Sequence, residues 1–327
     1  MERPLIDTFG RRHRDLRISV TDRCNFRCTY CMPEEGMQWL PRDEILTFEE
    51  IERLARLAVV RHGIESIRLT GGEPTMRAHL SVLIDKLARL PVDLALTTNG
   101  ATLRLVAHDL AAAGLKRINI SLDTFDRDRF LAITRRDELH KVLDGIDAAI
   151  EAGLKPVKIN AVMMRGVNDD ELLDFARFGR DKGVVVRFIE FMPLDADHTW
   201  TNASVVTADE IVARIGATYP LEALAPGSAP ATRYRYLDGG GEIGIVASVT
   251  QAFCGTCDRV RLTAEGKFRN CLFALEEYDL RSLLRNGASD DELSACIEEA
   301  VHAKWAGHQI NQVHFIRPKK SMSQIGG

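Results

Sequence analysis

Six of the seven cysteines in this 327-residue chain fall into two sets of three, Cys24, Cys28 and Cys31 near the start and Cys254, Cys257 and Cys271 near the end. The first set has C-x3-C-x2-C spacing in the string Cys24-Asn25-Phe26-Arg27-Cys28-Thr29-Tyr30-Cys31. Three thiolates in so short a loop can converge on one metal centre, yet three are one too few for a closed tetrahedral zinc site or a fully ligated four-iron cubane. Two chemistries fit: a zinc site completed by a distant histidine, or a four-iron, four-sulfur cluster with one iron left open. An open iron can be chelated by a small molecule, and reduction of the cluster can then drive one-electron chemistry on that molecule. The second set, C-x2-C-x13-C, suits zinc as well as iron and sulfur on spacing, with His302, His308 or His314 as a possible fourth ligand. In a reducing compartment such clustering points to metal or catalysis more than to disulfides. The remaining thiol, Cys296, stands alone in a helical stretch and reads as structural.

These residues are positioned by a regular alternation of elements. Strand-like runs are predicted at Leu16–Val20, Ser66–Thr70, Asp93–Thr98, Arg117–Leu122, Val157–Met163 and Val184–Phe191. Helical periodicity occupies Phe48–Arg61, Leu80–Arg89, Leu103–Ala113, His140–Ala152, Glu171–Asp181 and Ala208–Ile215. Thr47 with Glu50, Asn168 with Glu171, and Thr207 with Glu210 have capping-box spacing, and Gly63, Gly114, Gly153 and Gly183 stand where helices would stop. Six successive βα units require parallel strands with right-handed crossovers, hence a doubly wound sheet or a full or partial barrel. Both place functional groups at strand C-terminal ends. There the sequence sets Asp22–Cys31, Gly71–Pro74, Asn99, Asp123 and Met192.

The alternation stops after Leu221 at a segment rich in Ala, Pro, Gly and Ser, Ala223–Ala231, which reads as a domain boundary. Beyond it, Tyr234–Leu237 and Ile243–Val249 predict an antiparallel pair about Gly239, Gly240 and Gly241, and two helical stretches follow near Leu275–Arg285 and Asp291–Lys304. A composition of 45% hydrophobic and 28% charged residues excludes disordered, collagenous and disulfide-scaffold classes. The net charge of −4 leaves no global basic field for nucleic acid, so any polyanion site must be local. No apolar run reaches the roughly 18 residues needed to span a bilayer, and Met1–Arg17 lacks a leader's hydrophobic region. A cytoplasmic protein is expected, with no nucleic acid or membrane as partner.

The C-x3-C-x-Y-C string resembles the signature of the radical S-adenosylmethionine superfamily, and Gly71-Gly72-Glu73-Pro74, after the second strand, resembles its GGEP motif. Alone, that tetrapeptide would be a plain turn. Both motifs, in order and at the ends of consecutive strands, make the resemblance specific. It implies a partial (βα)6 TIM-like barrel, a 4Fe-4S cluster on Cys24, Cys28 and Cys31, and S-adenosylmethionine held by Tyr30, Gly72, Glu73, Asn99, Ser121 and Met192. In the superfamily, reductive cleavage of that cosubstrate yields a 5′-deoxyadenosyl radical that abstracts hydrogen from substrate.

Asp15-Leu16-Arg17-Ile18-Ser19-Val20-Thr21-Asp22-Arg23-Cys24, Cys257-Asp258-Arg259-Val260-Arg261-Leu262, the second cysteine spacing and the terminal Gly326-Gly327 together resemble the GTP 3′,8-cyclase family. The resemblance runs end to end, with no departure at the motif positions. It implies a core at 1–222 and an auxiliary α+β module at 223–327, with a second 4Fe-4S cluster on Cys254, Cys257 and Cys271 that binds the guanine. The implied reaction converts GTP to (8S)-3′,8-cyclo-7,8-dihydroguanosine triphosphate, the first step of molybdenum cofactor biosynthesis. Substrate contacts are implied for Arg17, Arg68, Thr97, Lys158, Arg259, Val260 and Arg261, with Arg259 and Arg261 also assisting the chemistry. A triphosphate brings roughly four negative charges, and no G-x4-G-K-[ST] loop is present to receive them, so separate cations must. The terminal double glycine is implied to reach into the active site, where only glycine backbone threads a narrow space. The implied partners are an external one-electron donor and cyclic pyranopterin monophosphate synthase as the next enzyme, for a monomer or homodimer. Two rivals are a radical peptide maturase with an auxiliary cluster, which would not require paired Arg259 and Arg261, and a non-catalytic zinc protein.

Overall fold

Alternate positions of the first six strands are apolar and buried: Leu16 and Ile18, Ile67 and Leu69, Leu94 and Leu96, Ile118 and Ile120, Ile159 and Ala161, Val186 and Phe188. They pack into one core with helix residues such as Ile51, Leu83, Leu103, Val142, Ile146 and Phe175. Period-two patterning of this kind turns the intervening residues to the opposite face of the sheet. Here those residues include Arg17, Arg68, Thr97, Asn119, Lys158 and Arg187, so the inner face is polar.

The computed structural model describes residues 3–195, 198–225, 227, 230–310, 312 and 315–326. Strands β1 (Asp15–Ser19), β2 (Ser66–Thr70), β3 (Asp93–Thr98), β4 (Arg117–Ser121), β5 (Val157–Met163) and β6 (Val185–Glu190) pair in parallel in chain order. Between them run α1 (Phe48–Arg56), α2 (Leu80–Ala88), α3 (Leu103–Ala112), α4 (Arg127–Thr134), α5 (Leu139–Glu151) and α6 (Leu172–Lys182), and α7 (Ala208–Gly216) follows β6. Strands that neighbour in unbroken chain order progress one way round, as in a barrel, whereas a doubly wound sheet reverses at its middle. β1 and β6 are not adjacent, so the barrel is partial.

The remaining strands are β7 (Leu221–Ala223), β8 (Thr232–Tyr236), β9 (Glu242–Val246), β10 (Arg259–Leu262), β11 (Lys267–Arg269) and β12 (Tyr278–Asp279), with helices α8 (Leu280–Arg285), α9 (Asp290–His302) and α10 (Met322–Ile325). They extend the barrel sheet at both open edges. β10 joins β1 in parallel and carries β11 and β12 outside it, while β9 joins β6 in parallel and carries β8 and β7. The Ala/Pro/Gly/Ser-rich segment links β7 to β8, which pair antiparallel.

The expected capping boxes form at Thr47 with Glu50 and at Thr207 with Glu210. Asn168 does not cap its helix. It is fully buried, accepts from the Met164 amide at 2.7 Å and donates to the Asp123 and Val162 carbonyls at 2.7 and 2.8 Å. Its amide satisfies strand-end carbonyls, and α6 starts later, at Leu172. Helix α4 was not anticipated, and neither were β7 and β10–β12, which are short.

Candidate active site

A cavity opens into the barrel, lined by Arg17 of β1, Arg68 of β2, Thr97 of β3, Asn160 of β5, Arg187 and Ile189 of β6, and Arg259 and Arg261 of β10. Arg261, Arg17 and Arg68 occupy matching register positions on three adjacent strands, a lateral rank of guanidinium groups. Among the described residues the lining holds five arginines and no carboxylate. Burial first, then repulsion from Arg68 and Arg259, brings Arg17 down to about 9. Burial likewise lowers Arg68 to about 10, Arg187 to about 10 and Lys158 to about 8, and it lowers Arg261 as well. The Nε atoms of Arg17 and Arg68 are buried with no hydrogen-bond partner. Asp15 only partly offsets the repulsion at Arg17 and Arg68, and cations gathered this way with unused donors suit an anion of several charges. Arg259 lies over the Phe253 ring, 4.8 Å from its centroid, which orients its fork at the cavity wall.

Cys24, Cys28 and Cys31 occupy the loop after β1, docked on α4 by the Arg27 and Thr29 amides, which donate to Thr134 and Ile133 carbonyls at 3.0 Å each. The Arg27 guanidinium reaches the Cys24 carbonyl at 2.8 Å. Burial pushes Cys24 up to about 11 and Cys31 up to about 12, so ligation here must displace protons. Gly72 lies against this loop so closely that a Cβ would stand 2.4 Å from the Arg23 carbonyl oxygen, and its amide donates to Thr21 at 2.7 Å. The Glu73 carboxylate is 1% exposed and accepts from the Thr75 amide at 3.0 Å, the Thr98 hydroxyl at 2.7 Å and the Asn99 amide at 2.6 Å. The Asn99 side chain donates to Asn25 at 2.7 Å and comes within 4.0 Å of Cys24 Sγ. Tyr30 donates to Asp123 at 2.6 Å.

Cys254, Cys257 and Cys271 line the same cavity as Thr97 and Asn160 of the barrel. The His308 amide points at Cys254 Sγ (3.5 Å) and the Phe273 amide at Cys271 Sγ (3.5 Å). Burial opposes the Cys257 thiolate, but Arg259 and Lys304 outweigh it and hold this thiol down to about 7. All seven cysteines are unpaired. Among the described residues no three His, Cys, Asp or Glu side chains converge on a point for a single ion. A four-iron cluster spreads its ligands over several metal atoms, and two sets of three free thiols have the donor chemistry it requires.

Residues 18–179 match the radical SAM superfamily and residues 184–310 the Molybdenum Cofactor Synthesis C family. The chain is 49% identical over 333 residues to GTP 3′,8-cyclase 2 of Mycobacterium bovis, covering 99% of this chain and 92% of that one. Against the GTP 3′,8-cyclase of Corynebacterium glutamicum it is 50% identical over 338 residues, covering 99% and 90%. Against that of Streptomyces coelicolor it is 49% identical over 328 residues, covering 99% and 96%.

The chain belongs to the GTP 3′,8-cyclase family.

Its fold is shared with Streptococcus suis SuiB bound to S-adenosylmethionine, at a TM-score of 0.62 and 14% identity over 88% of this chain and 69% of that one. Methylornithine synthase shares it at a TM-score of 0.52 and 16% identity over 64% and 63%. Membership of a radical S-adenosylmethionine family carries with it that cosubstrate and a 4Fe-4S cluster.

Of the substrate contacts expected for the GTP 3′,8-cyclase family, the structure brings Arg17, Arg68, Thr97, Arg259 and Arg261 to one cavity. Lys158 stands at the neighbouring register position to Asn119, whose side chain donates to Thr97 at 3.2 Å. Val260 faces the other way, 1% exposed in the apolar core, because it alternates with its two arginine neighbours. Met192 lines the cavity, while Ser121 ends β4 and Tyr30 borders a separate depression. His308 lines the cavity, His302 is exposed at the end of α9 beside Arg3 and Pro4, and His314 lies outside the described residues. Gly326 hands its carbonyl to Arg261, and a Cβ there would stand 2.8 Å from the Thr70 hydroxyl; Gly327 lies outside the described residues. Ser323, in the same tail, hydrogen-bonds Cys31 through side chain and main chain.

Arg187 and Asn160 were missed. Each is a polar residue inside an apolar strand, and the parity shared with Lys158 was the available signal. No helix among the described residues is long and apolar enough to cross a membrane.

Proposed function

We propose that this chain converts GTP to (8S)-3′,8-cyclo-7,8-dihydroguanosine 5′-triphosphate, the opening step of molybdenum cofactor biosynthesis. The observation that carries the reading is the cavity where five arginines and no carboxylate among the described residues stand beside one set of cysteines. It is supported by full-length similarity to three GTP 3′,8-cyclases.

Cys24, Cys28 and Cys31 would hold the cluster, which would supply the electron for cleaving S-adenosylmethionine; loss of the ribose 3′ hydrogen atom to the 5′-deoxyadenosyl radical, closure of C3′ on C8 and uptake of one electron and one proton would give a product isomeric with GTP. Gly72 and Glu73, with Asn99, shape the seat of the methionine end, Glu73 keeping one acceptor position on Oε2 beyond the Asn99 amide. Tyr30, Ser121 and Met192 bound the rest of that seat. Arg17, Arg68, Lys158 and Arg187 receive the triphosphate, and Thr97 supplies a neutral hydroxyl among them. Arg259 and Arg261 stand between phosphates and base, where they neutralise charge during cyclisation, and Val260 offers only its main chain. Cys254, Cys257 and Cys271 would hold a second cluster, which three thiolates would leave able to bind the guanine. Residues 1–222 are the catalytic core, and 223–327 bring this second site and the Gly-Gly tail to it. Open-iron chemistry and unpaired thiols suit a cytoplasmic enzyme served by an external one-electron donor, its product passing to cyclic pyranopterin monophosphate synthase.

The test is anaerobic turnover of reconstituted protein with S-adenosylmethionine, dithionite and either GTP or ATP, followed by mass spectrometry. A nucleotide isomeric with GTP, formed with 5′-deoxyadenosine and absent with ATP, is the expected result. Slow cosubstrate cleavage indifferent to GTP would overturn the substrate, and 5′-deoxyadenosine from a Cys24→Ala protein would overturn the cluster assignment.

A further inference from the structure

Ahead of β1, the N-terminal segment ties the end of the first barrel helix, through Arg3 and Arg61, and then reaches the second cysteine site through Arg11. The Arg11 guanidinium donates to the Cys254, Ala306 and Trp305 carbonyls at 2.7, 2.8 and 2.6 Å and to Asp7 Oδ2 at 2.6 Å. It thereby clamps the loop of Cys254 to the loop that follows α9. Beside it runs a buried chain of polar groups. Asp7 Oδ2 lies 3.1 Å from His13 Nε2, His13 Nδ1 lies 3.3 Å from Lys304 Nζ, and Lys304 Nζ lies 3.9 Å from Cys257 Sγ. Lys304 also donates to the Arg259 carbonyl at 2.9 Å. Asp7, His13 and Lys304 are respectively 4%, 0% and 4% exposed.

A lysine desolvated to this degree is costly unless its three donors are used. They are used here by His13, the Arg259 carbonyl and the Cys257 sulfur. With Nδ1 accepting from the ammonium, His13 must carry its proton on Nε2 and donate it to the Asp7 carboxylate. The chain therefore aims a fixed ammonium at one thiolate of the second set. Hydrogen bonds and charge at ligand sulfurs are what set the potential of an iron–sulfur cluster.

We infer that Lys304, oriented by His13 and Asp7, is a positioning residue of the C-terminal cluster that favours its one-electron reduced form. The inference rests on the reading of Cys254, Cys257 and Cys271 as cluster ligands. Reduction adds one negative charge to the cluster, and a neighbouring ammonium stabilises the more negative state. No proton moves in this step, and the electron comes from dithionite through mediators.

The experiment uses the full chain carrying Cys24→Ala, Cys28→Ala and Cys31→Ala, so that only the second site binds iron, and reads the midpoint potential by electron paramagnetic resonance. Lys304→Met is expected to make reduction about tenfold less favourable, a downward shift of about 59 mV for a one-electron couple, while Lys304→Arg recovers most of it. Equal potentials in the parent and Lys304→Met would overturn the inference. Should Lys304→Met fail to take up iron, the parent labelled with nitrogen-15 at lysine decides. A lysine nitrogen coupling to the reduced cluster supports the inference, and none overturns it. If the parent binds no four-iron cluster, the reading beneath the inference falls first.

Discussion

A buried guanidinium beside other cations and with an unused donor costs free energy that an anionic ligand relieves. Arg17 is the plainest case, its Nε unpartnered and its charge opposed by Arg68 and Arg259. Arg17→Ala is expected to weaken GTP binding by about ten- to a hundredfold, since a hydrogen bond to a charged group is worth roughly 1.5–3 kcal/mol. Equilibrium binding to the reconstituted enzyme reads this directly, and an unchanged affinity would remove Arg17 from the substrate site. Adjacent threonines separate the two sites within one strand. Thr97 lines the cavity, whereas Thr98 donates to Glu73 at 2.7 Å. Thr97→Val should therefore weaken GTP binding and leave S-adenosylmethionine affinity intact, and Thr98→Val should do the reverse. Titrating both ligands against both variants checks the pattern.

Helix α5 seats on the loop after β3 through Gly145, where a Cβ would stand 2.2 Å from the Gly100 carbonyl oxygen. That neighbour is backbone and cannot swing aside. Gly145→Ala is expected to destabilise the protein by about 2 kcal/mol or more, as overpacking does. Gly216, at the end of α7, has nothing within 4 Å of the same position, so Gly216→Ala should be neutral or stabilising by up to about 1 kcal/mol. Thermal unfolding of the pair tests whether crowding or propensity governs these sites. At this scale the sequence was readable where the signal is local. The six barrel strands and most helices follow their hydrophobic period, and Thr47 and Thr207 cap as their spacing predicts. Asn168 fails as a cap because the Met164 amide claims its side-chain oxygen at 2.7 Å, while its NH2 group is held by the Asp123 and Val162 carbonyls.

Over the whole molecule, the second cysteine set comes from the far end of the chain, yet it shares a cavity with Arg17 of β1, against which β10 pairs. Reconstituted protein is expected to hold about eight irons, and Cys254→Ala with Cys257→Ala about four. Iron assay with sulfide determination distinguishes this from one or two zincs. Long-range ties also set the acid sensitivity. Burial, then the charge of Lys304, hold His13 down to about 4 from its ordinary 6.5, with Asp7 and Arg11 as its other charged neighbours. The unfolded chain binds this proton first, so stability present above pH 6.5 is lost as the pH falls toward 4, by about 3 kcal/mol in all. His13→Gln should flatten that part of the stability curve, and melting temperatures of both proteins from pH 7 to 4 would show whether it does.

Sequence alone determined what nearest neighbours and short periods encode: two three-thiol sets, the glycine turn after β2, the order of six βα units and the arginine pair on β10. Tertiary structure decided which side chains share a space. Arg187 and Asn160 join the cavity through strand register, and Val260 leaves it through the same alternation that admits Arg259 and Arg261. Lys304 and His13 meet Cys257 only because α9 and the N-terminal segment pack against one loop. Contacts between residues hundreds of positions apart depend on how strands pair and where loops close, and no local pattern in the chain carries that information.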